Sequence, residues 1–135
     1  MKSRVLLTVL MAAALAVGPL VSMAHAAGEI FIPILTYRTG PYAPSGIPLA
    51  AGANDYLNLL NQRDGGINGV RIVFEECEMQ YDTKQAVECY ERLKSKNPVI
   101  VNPYSTGVTY QLIPKAPVDK VVVHSMGYGM TASAD

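Results

Sequence analysis

Short apolar runs alternate with amphipathic stretches along most of the chain. The apolar runs have the length of buried strands, and the amphipathic stretches place apolar residues three and four positions apart, as helices packed on a sheet do. This alternation predicts an α/β fold, a parallel sheet flanked by helices on both faces and joined by right-handed crossovers. The predicted strands are 30–35, 70–76, 99–101 and 121–123, and the predicted helices are 45–62, 82–96 and 105–112.

Local signals predict where these helices begin and end. Ser45 is predicted to cap the first helix, because its hydroxyl can accept a hydrogen bond from a free backbone N–H. Gly65 and Gly66 are predicted to end that helix, since glycine adopts the left-handed conformation easily. Pro114 and Pro117 are predicted to end the third helix, because proline lacks the N–H that a helix interior requires.

The amino terminus has the pattern of an export signal. Two basic residues, Lys2 and Arg4, precede an apolar run over 5–17, and Ala24-His25-Ala26 places small residues where a signal peptidase cleaves. This pattern predicts a secretory signal peptide over residues 1–26. A membrane anchor is the alternative, but Gly18-Pro19 interrupts the run short of the roughly 20 apolar residues that a span needs.

Removing that signal changes the charge of the chain. The rest keeps nine basic residues, which are the 11 of the whole chain less Lys2 and Arg4, against 11 acidic ones. The balance is slightly acidic and leaves no basic patch, so nucleic acid is not an expected partner.

The two cysteines, Cys77 and Cys89, have several possible roles. Two thiols twelve residues apart, with no histidine between them, cannot complete a tetrahedral zinc site. Their spacing also differs from the Cys-x-x-Cys pattern of redox dithiols. An exported protein meets an oxidising environment, which favours a disulfide between them. Two buried free thiols remain the alternative.

Catalytic chemistry is poorly represented. A hydrolase would use Ser105 or Ser125 as nucleophile with His124 as base. No Gly-x-Ser-x-Gly elbow is present, so the sequence favours a protein that is not an enzyme.

Metal and nucleotide sites are not expected either. Glu75, Glu76 and Glu78 are clustered, but strand alternation sends Glu75 and Glu76 to opposite faces. No Gly-x-Gly-x-x-Gly loop follows the first strand, so no cofactor is predicted.

Ligands of open α/β sheets bind outside the carboxyl ends of the strands. The loops there are 36–45, 77–82, 102–106 and 124–131, and all but the second are rich in Gly, Ser, Thr and Tyr. Backbone N–H groups, hydroxyls and aromatic rings of this kind suit the recognition of a small polar molecule.

The stretch "TGPYAPSGIPLAAGANDYLNLLNQRDGGINGVRIVFEECEMQYDTKQAVECYERL" resembles the periplasmic solute-binding proteins of branched-chain amino-acid type ABC transporters. Its Thr39-Gly40-Pro41 loop, its Gly-Gly-Ile-x-Gly turn and its Asp-x-x-x-Ala helix are each similar to that family, and the likeness extends over residues 29–131. The resemblance implies a type I fold of two α/β lobes. Residues 27–135 would form the amino-terminal part of lobe 1, with the remainder of the protein absent.

The resemblance also implies which residues bind the solute. The loop after the third strand would hold its polar head, and the loop after the fourth strand would do likewise, with the first loop adding side-chain contacts. For Ser105, a helix N-cap is the alternative role. The expected contact residues are Tyr42, Ser45, Tyr104, Ser105, Thr106, Ser125, Met126, Gly127 and Tyr128.

The function implied by the resemblance is capture of a solute in the periplasm for an ABC importer, with the membrane permease as partner. The solute would be an amino acid or a related small polar or aromatic acid or amide. A ligand-sensing receptor domain of the same fold and the hydrolase are the alternatives.

Overall fold

The computed structural model describes residues 28–126. The predicted signal peptide, and the expected contact residues Gly127 and Tyr128, lie outside the described residues. The elements in chain order are β1 Glu29–Thr36, α1 Ala43–Asp64, β2 Arg71–Glu78, α2 Thr83–Leu93, a 3-10 turn Lys94–Lys96, β3 Ile100–Val101, α3 Thr106–Leu112, α4 Ala116–Asp119 and β4 Val122–Val123.

The described strands pair in parallel, as the alternating pattern predicts. β1 pairs with β2 along its whole length, from Glu29 opposite Arg71 to Thr36 opposite Glu78. β3 pairs with β4, and a parallel bridge between Ile34 and Asn102 joins the two pairs. The resulting order is β2-β1-β3-β4, so the carboxyl ends of all these strands lie at one edge.

The core lies between the strands and the helices α2 and α3. The predicted apolar stripe of α2 is confirmed, since Ala86, Cys89, Tyr90 and Leu93 are all buried. The Tyr90 hydroxyl donates to Asp119 Oδ2 at 2.8 Å, and burial raises the pKa of this tyrosine. Among the helices of residues 28–126, none is long and apolar enough to cross a membrane.

The start of α1 differs from the prediction. The helix begins at Ala43 with Tyr42 as its N-cap residue, and no side chain caps it, so the prediction that Ser45 caps α1 is wrong. Pro44 explains the earlier start, because proline in the first turn supplies a helical φ and no N–H that needs a partner. At the other end, Gly65 has the predicted left-handed conformation, with φ of 68°.

The two prolines after α3 have different roles. α3 ends at Leu112, ahead of Pro114, as predicted. Pro117 lies in the first turn of the short helix α4 and does not end α3. The prediction for Pro117 is therefore wrong, for the same reason that Pro44 is tolerated in α1.

The disulfide between Cys77 and Cys89 is present, which confirms the favoured prediction. It links the end of β2 to α2 across a sequence separation of 12 residues. The bridge therefore spans loop 79–82 and the first turns of α2.

Candidate functional site

The candidate site begins where β1 and β2 end side by side. Thr36 and Glu78 are opposite each other in the register, so the loops that follow start as neighbours. The Met79 N–H donates to the Thr36 carbonyl at 2.7 Å, which extends the pairing into the loops. Loop 37–42 and loop 79–82 thus lie against each other at the carboxyl edge of the sheet.

Three tyrosines from these two loops form a cluster. The ring centroids of Tyr42 and Tyr81 are 4.4 Å apart, and those of Tyr37 and Tyr81 are 4.9 Å apart in an edge-on arrangement. The Tyr37–Tyr81 distance lies within the usual range for aromatic pairs, and the Tyr42–Tyr81 distance lies at its short end. Tyr37 belongs to the core, whereas Tyr42 keeps 54% of its surface exposed. The cluster therefore offers an anchored aromatic surface to a molecule outside the sheet.

Tyr104 lies beside this cluster, after β3. It has a positive φ of 48°, and its N–H donates to the Asn102 side-chain oxygen at 3.2 Å. Burial raises the pKa of Tyr104, and the nearby Tyr37 raises it further. Tyr104 also borders a groove of about 190 Å³, whose other walls are Ile32, Pro33, Ile34, Ala53, Tyr56, Leu57 and Asn102.

Ser105 is the N-cap of α3, which confirms the alternative role predicted for it. Its hydroxyl accepts from the Val108 N–H at 3.5 Å, and only 4% of the residue is exposed. Thr106, the first residue of α3, is half-buried. Contact of either residue with a solute remains a prediction.

The other expected contact residues lie nearer the surface. Ser45 is exposed in the first turn of α1. Ser125 is half-buried after β4, and Met126 is 37% exposed. The structure thus brings Tyr42 to Tyr81 and Tyr104 to Tyr37, while the Ser105 hydroxyl is turned into its own helix.

The sequence analysis did not predict a partly buried ion pair between the first loop and β2. Arg38 binds the Glu76 carboxylate through two nitrogens, with Nη2 at 3.0 Å from Oε2. Asn54 Nδ2 donates to Glu76 Oε2 at 2.8 Å, and the Thr36 hydroxyl donates to Oε1 at 2.9 Å. The hydrogen bonds from Arg38, helped by those from Asn54 and Thr36 and opposed by burial, lower the pKa of Glu76 to about 2. Glu76 is therefore a fixed anion at neutral pH.

Glu75 faces the other side of β2, as strand alternation predicts. Its carboxylate pairs with Arg92 of α2 at 2.8 Å and with Lys96 of the 3-10 turn that follows. Within residues 28–126, no three His, Cys, Asp or Glu side chains gather as a metal site.

The catalytic alternative gains no support from the described contacts. His124 Nδ1 lies 3.1 Å from Asn102 Nδ2, and the Ser105 hydroxyl is engaged in the α3 cap. A serine nucleophile needs its hydroxyl against the histidine base. The arrangement instead presents hydroxyls, amides and tyrosine rings, groups that are suited to hydrogen bonding and stacking with a small molecule.

Tyr37, Tyr81 and Glu78 are the site residues that sequence reasoning missed. A usable signal existed for Tyr37 and Glu78, because both stand at the carboxyl end of a predicted strand. Tyr81 becomes significant only through the register of β1 and β2, which no single-sequence pattern fixes.

Comparisons with known proteins agree with this geometry. The sequence profile of the family described as periplasmic binding protein matches residues 29–134. No curated protein matches the chain.

Three solved structures illustrate the likeness. A protein described as an ABC transporter permease from the Pseudomonas fluorescens group is 42% identical, with a TM-score of 0.70, over 76% of this chain and 26% of that one. A fatty acid ABC transporter substrate-binding protein from Thermomonospora curvata is 26% identical, with a TM-score of 0.65, over 73% of this chain and 25% of that one. The branched-chain amino acid transporter substrate-binding protein LivJ from Streptococcus pneumoniae, solved with isoleucine, is 23% identical, with a TM-score of 0.64, over 72% of this chain and 28% of that one.

The chain thus spans about a quarter of the length of the solved structures that it matches. Its parallel strands and flanking helices have the fold of a type I periplasmic binding protein lobe. Because the family profile covers most of the chain, from residue 29 to residue 134, this chain belongs to the periplasmic binding protein family.

Proposed function

We propose that this chain supplies part of the first lobe of a periplasmic solute-binding protein that serves an ABC importer. The observation that carries the proposal is the aromatic cluster of Tyr37, Tyr42 and Tyr81 at the carboxyl edge of a parallel sheet. That edge is where open α/β sheets bind ligands. The cluster is anchored in the core on one side and exposed on the other, so it can serve as one wall of a binding cleft.

The proposed mechanism is capture without chemical conversion. A solute that touches both lobes stabilises the closed form, since it binds that form more tightly than the open one. The closed form would then dock on the membrane permease. The signal peptide predicted over residues 1–26 fits this location, because the solute must be caught outside the cytoplasm.

The proposed solute is an amino acid or a small aromatic acid or amide. Tyr42 offers a ring face, and Tyr104 and Thr106 offer hydroxyls near the same edge. A planar or aliphatic body with one polar head would match these groups. The relative from Thermomonospora curvata is described as a fatty acid binder, so an acid head group is a reasonable common element.

The test is a thermal-shift screen of the complete protein with L-leucine, L-phenylalanine, benzoate and benzamide. Binding to the folded state raises the melting temperature by mass action. We expect at least one of these solutes to raise it in a concentration-dependent way. Absence of any shift across the four solutes would contradict the proposal.

A further inference from the structure

The Glu78 carboxylate joins the two loops of the candidate site. Its Oε2 accepts the Arg38 N–H at 2.8 Å, and its Oε1 accepts the Gln80 N–H at 3.0 Å. The Thr39 hydroxyl and N–H also donate to Oε1, at 3.1 and 3.4 Å. One side chain at the end of β2 therefore accepts hydrogen bonds from the backbone of both loops, 37–42 and 79–82.

The loops need such a partner, because their backbones approach closely in costly conformations. Gln80 and Tyr81 have positive φ values of 53° and 60°, which non-glycine residues seldom adopt. Gly40, with φ of 80°, lies so near the Gln80 carbonyl that a Cβ would come within 3.1 Å of the oxygen. The Glu78 carboxylate offsets part of this cost through charge-assisted hydrogen bonds.

The position of the tyrosine cluster depends on these loops. Tyr42 ends loop 37–42, and Tyr81 lies in loop 79–82, so the 4.4 Å contact of their rings spans the junction that Glu78 holds. Tyr42 is largely exposed and has no core packing comparable to that of Tyr37. Its orientation therefore relies on how firmly its loop is fixed.

We propose that Glu78 is a positioning residue of the solute site, which fixes both loops so that Tyr42 and Tyr81 form one continuous aromatic wall. This inference rests on the proposed function. In this proposal Glu78 influences binding through the position of Tyr42 and not through a contact of its own with the solute.

The test compares Glu78→Gln with Glu88→Gln in the complete protein. The first change keeps the shape of the side chain but leaves a single acceptor oxygen and turns an NH₂ group toward backbone donors. Glu88, exposed on α2, provides a matched loss of one charge. Affinity is measured by calorimetry for L-leucine, L-phenylalanine, benzoate and benzamide, and hydrogen exchange is measured in the solute-free protein.

We expect Glu78→Gln to weaken binding of the best of these probes by about tenfold or more, the effect of losing hydrogen bonds to a charged group. In a Tyr42→Ala background the same change should cost less than about twofold, because coupled residues are not additive. Exchange at the Arg38, Thr39 and Gln80 amides should become faster. Glu88→Gln should alter neither affinity nor exchange.

Unchanged affinity in Glu78→Gln, or an equal loss with and without Tyr42, would overturn the positioning role. Unchanged exchange at the three amides would overturn it as well, whether or not a solute binds. A wild-type protein that binds none of the four probes would contradict the proposed function instead, so the two failures can be told apart.

Discussion

Among single side chains, Glu76 is one of two carboxylates near the end of β2 that each accept several hydrogen bonds at the candidate site. Its carboxylate accepts hydrogen bonds from Arg38, Asn54 and Thr36, which come from loop 37–42, α1 and β1. One anion thus connects three parts of the fold beneath the tyrosine cluster. Its value to stability depends on its charge, and therefore on pH.

Acid should weaken this connection. The folded-state pKa of Glu76, about 2, lies below its ordinary value of 4.5, so the stabilisation is complete above pH 4.5 and is lost as pH falls toward 2. Since the pair is partly exposed, we expect Glu76→Gln to lose about 1–2 kcal/mol at pH 6 and much less near pH 2.5. Urea unfolding of both proteins at the two pH values measures this difference. A loss that is equal at both pH values would contradict the assignment.

Contact of Ser105 with a solute is a further prediction, because its hydroxyl accepts the Val108 N–H in the cap and still has a proton to donate. We expect Ser105→Ala in the complete protein to weaken solute binding by about 1–3 kcal/mol through loss of a buried hydrogen bond. Titration calorimetry measures the change. Ser95→Ala is the control, because Ser95 is exposed and its hydroxyl donates only to the Arg92 carbonyl among the described contacts. Unchanged affinity in Ser105→Ala would remove this serine from the site.

The sequence predicts the positions of residues that depend on local signals, such as the end of a strand or the start of a helix. Ser105 before α3 and Tyr104 in the loop after β3 follow from a predicted strand end and helix start. The contacts of Glu76 and Glu78 join residues some 40 positions apart, as in the pair of Thr36 and Glu76. Such pairs depend on strand register, which the sequence of one strand does not specify.

Of the helices, α1 makes the closest backbone contact with the site. A Cβ at Gly46 would lie 1.9 Å from the Tyr37 carbonyl oxygen, so the absence of a side chain lets the helix pack directly on the first loop. Gly52, in the same helix, would meet nothing within 4 Å. Alanine substitutions at the two positions therefore distinguish the effect of packing, which acts at Gly46, from the effect of helix propensity, which acts at Gly52.

We expect Gly46→Ala to lower the free energy of unfolding by about 1–3 kcal/mol, because the backbone must shift to admit a methyl group. Gly52→Ala should raise it by up to about 1 kcal/mol, since alanine favours the helix more than glycine does. Urea unfolding monitored by circular dichroism gives both values. A similar loss of unfolding free energy at both positions would show that the contact with the Tyr37 carbonyl is not the reason for glycine at position 46.

The disulfide between β2 and α2 should also contribute to stability. Closing a loop of this length stabilises a fold by about 3 kcal/mol in the chain-entropy account. We therefore expect dithiothreitol to lower the melting temperature of the wild type and to leave a Cys77→Ser, Cys89→Ser protein unaffected. Thiol labelling of both cysteines in unreduced, denatured protein would contradict the bridge.

The order of the elements could be predicted from the sequence because buried strands and amphipathic helices have different periods. The residues at which the elements begin and end are harder to predict. Ser45 has the chemistry of a cap, but Pro44 and the turn from Gly40 start α1 two residues earlier. Proline has opposite effects in the interior and in the first turn of a helix, so the sequence alone does not show whether Pro117 ends α3 or begins α4.

At the scale of the whole molecule, the described strands form one continuous carboxyl edge. The strands are all parallel in the order β2-β1-β3-β4, and the solved structures that the chain resembles support a type I lobe. The chain spans 26% of the length of a structure with which it shares 42% identity. The existence of an opposing wall of the cleft, which would help to select the solute, is therefore proposed and not observed.

The central claim is that this edge captures a solute and leaves it unchanged. The most direct measurement is titration calorimetry of the complete protein with the solute that gives the largest thermal shift, followed by chemical analysis of the solute recovered. We predict saturable binding of one solute per protein, recovery of the solute intact, and loss of most of the affinity in Tyr42→Ala. Absence of saturable binding, or conversion of the solute to a product, would contradict the account.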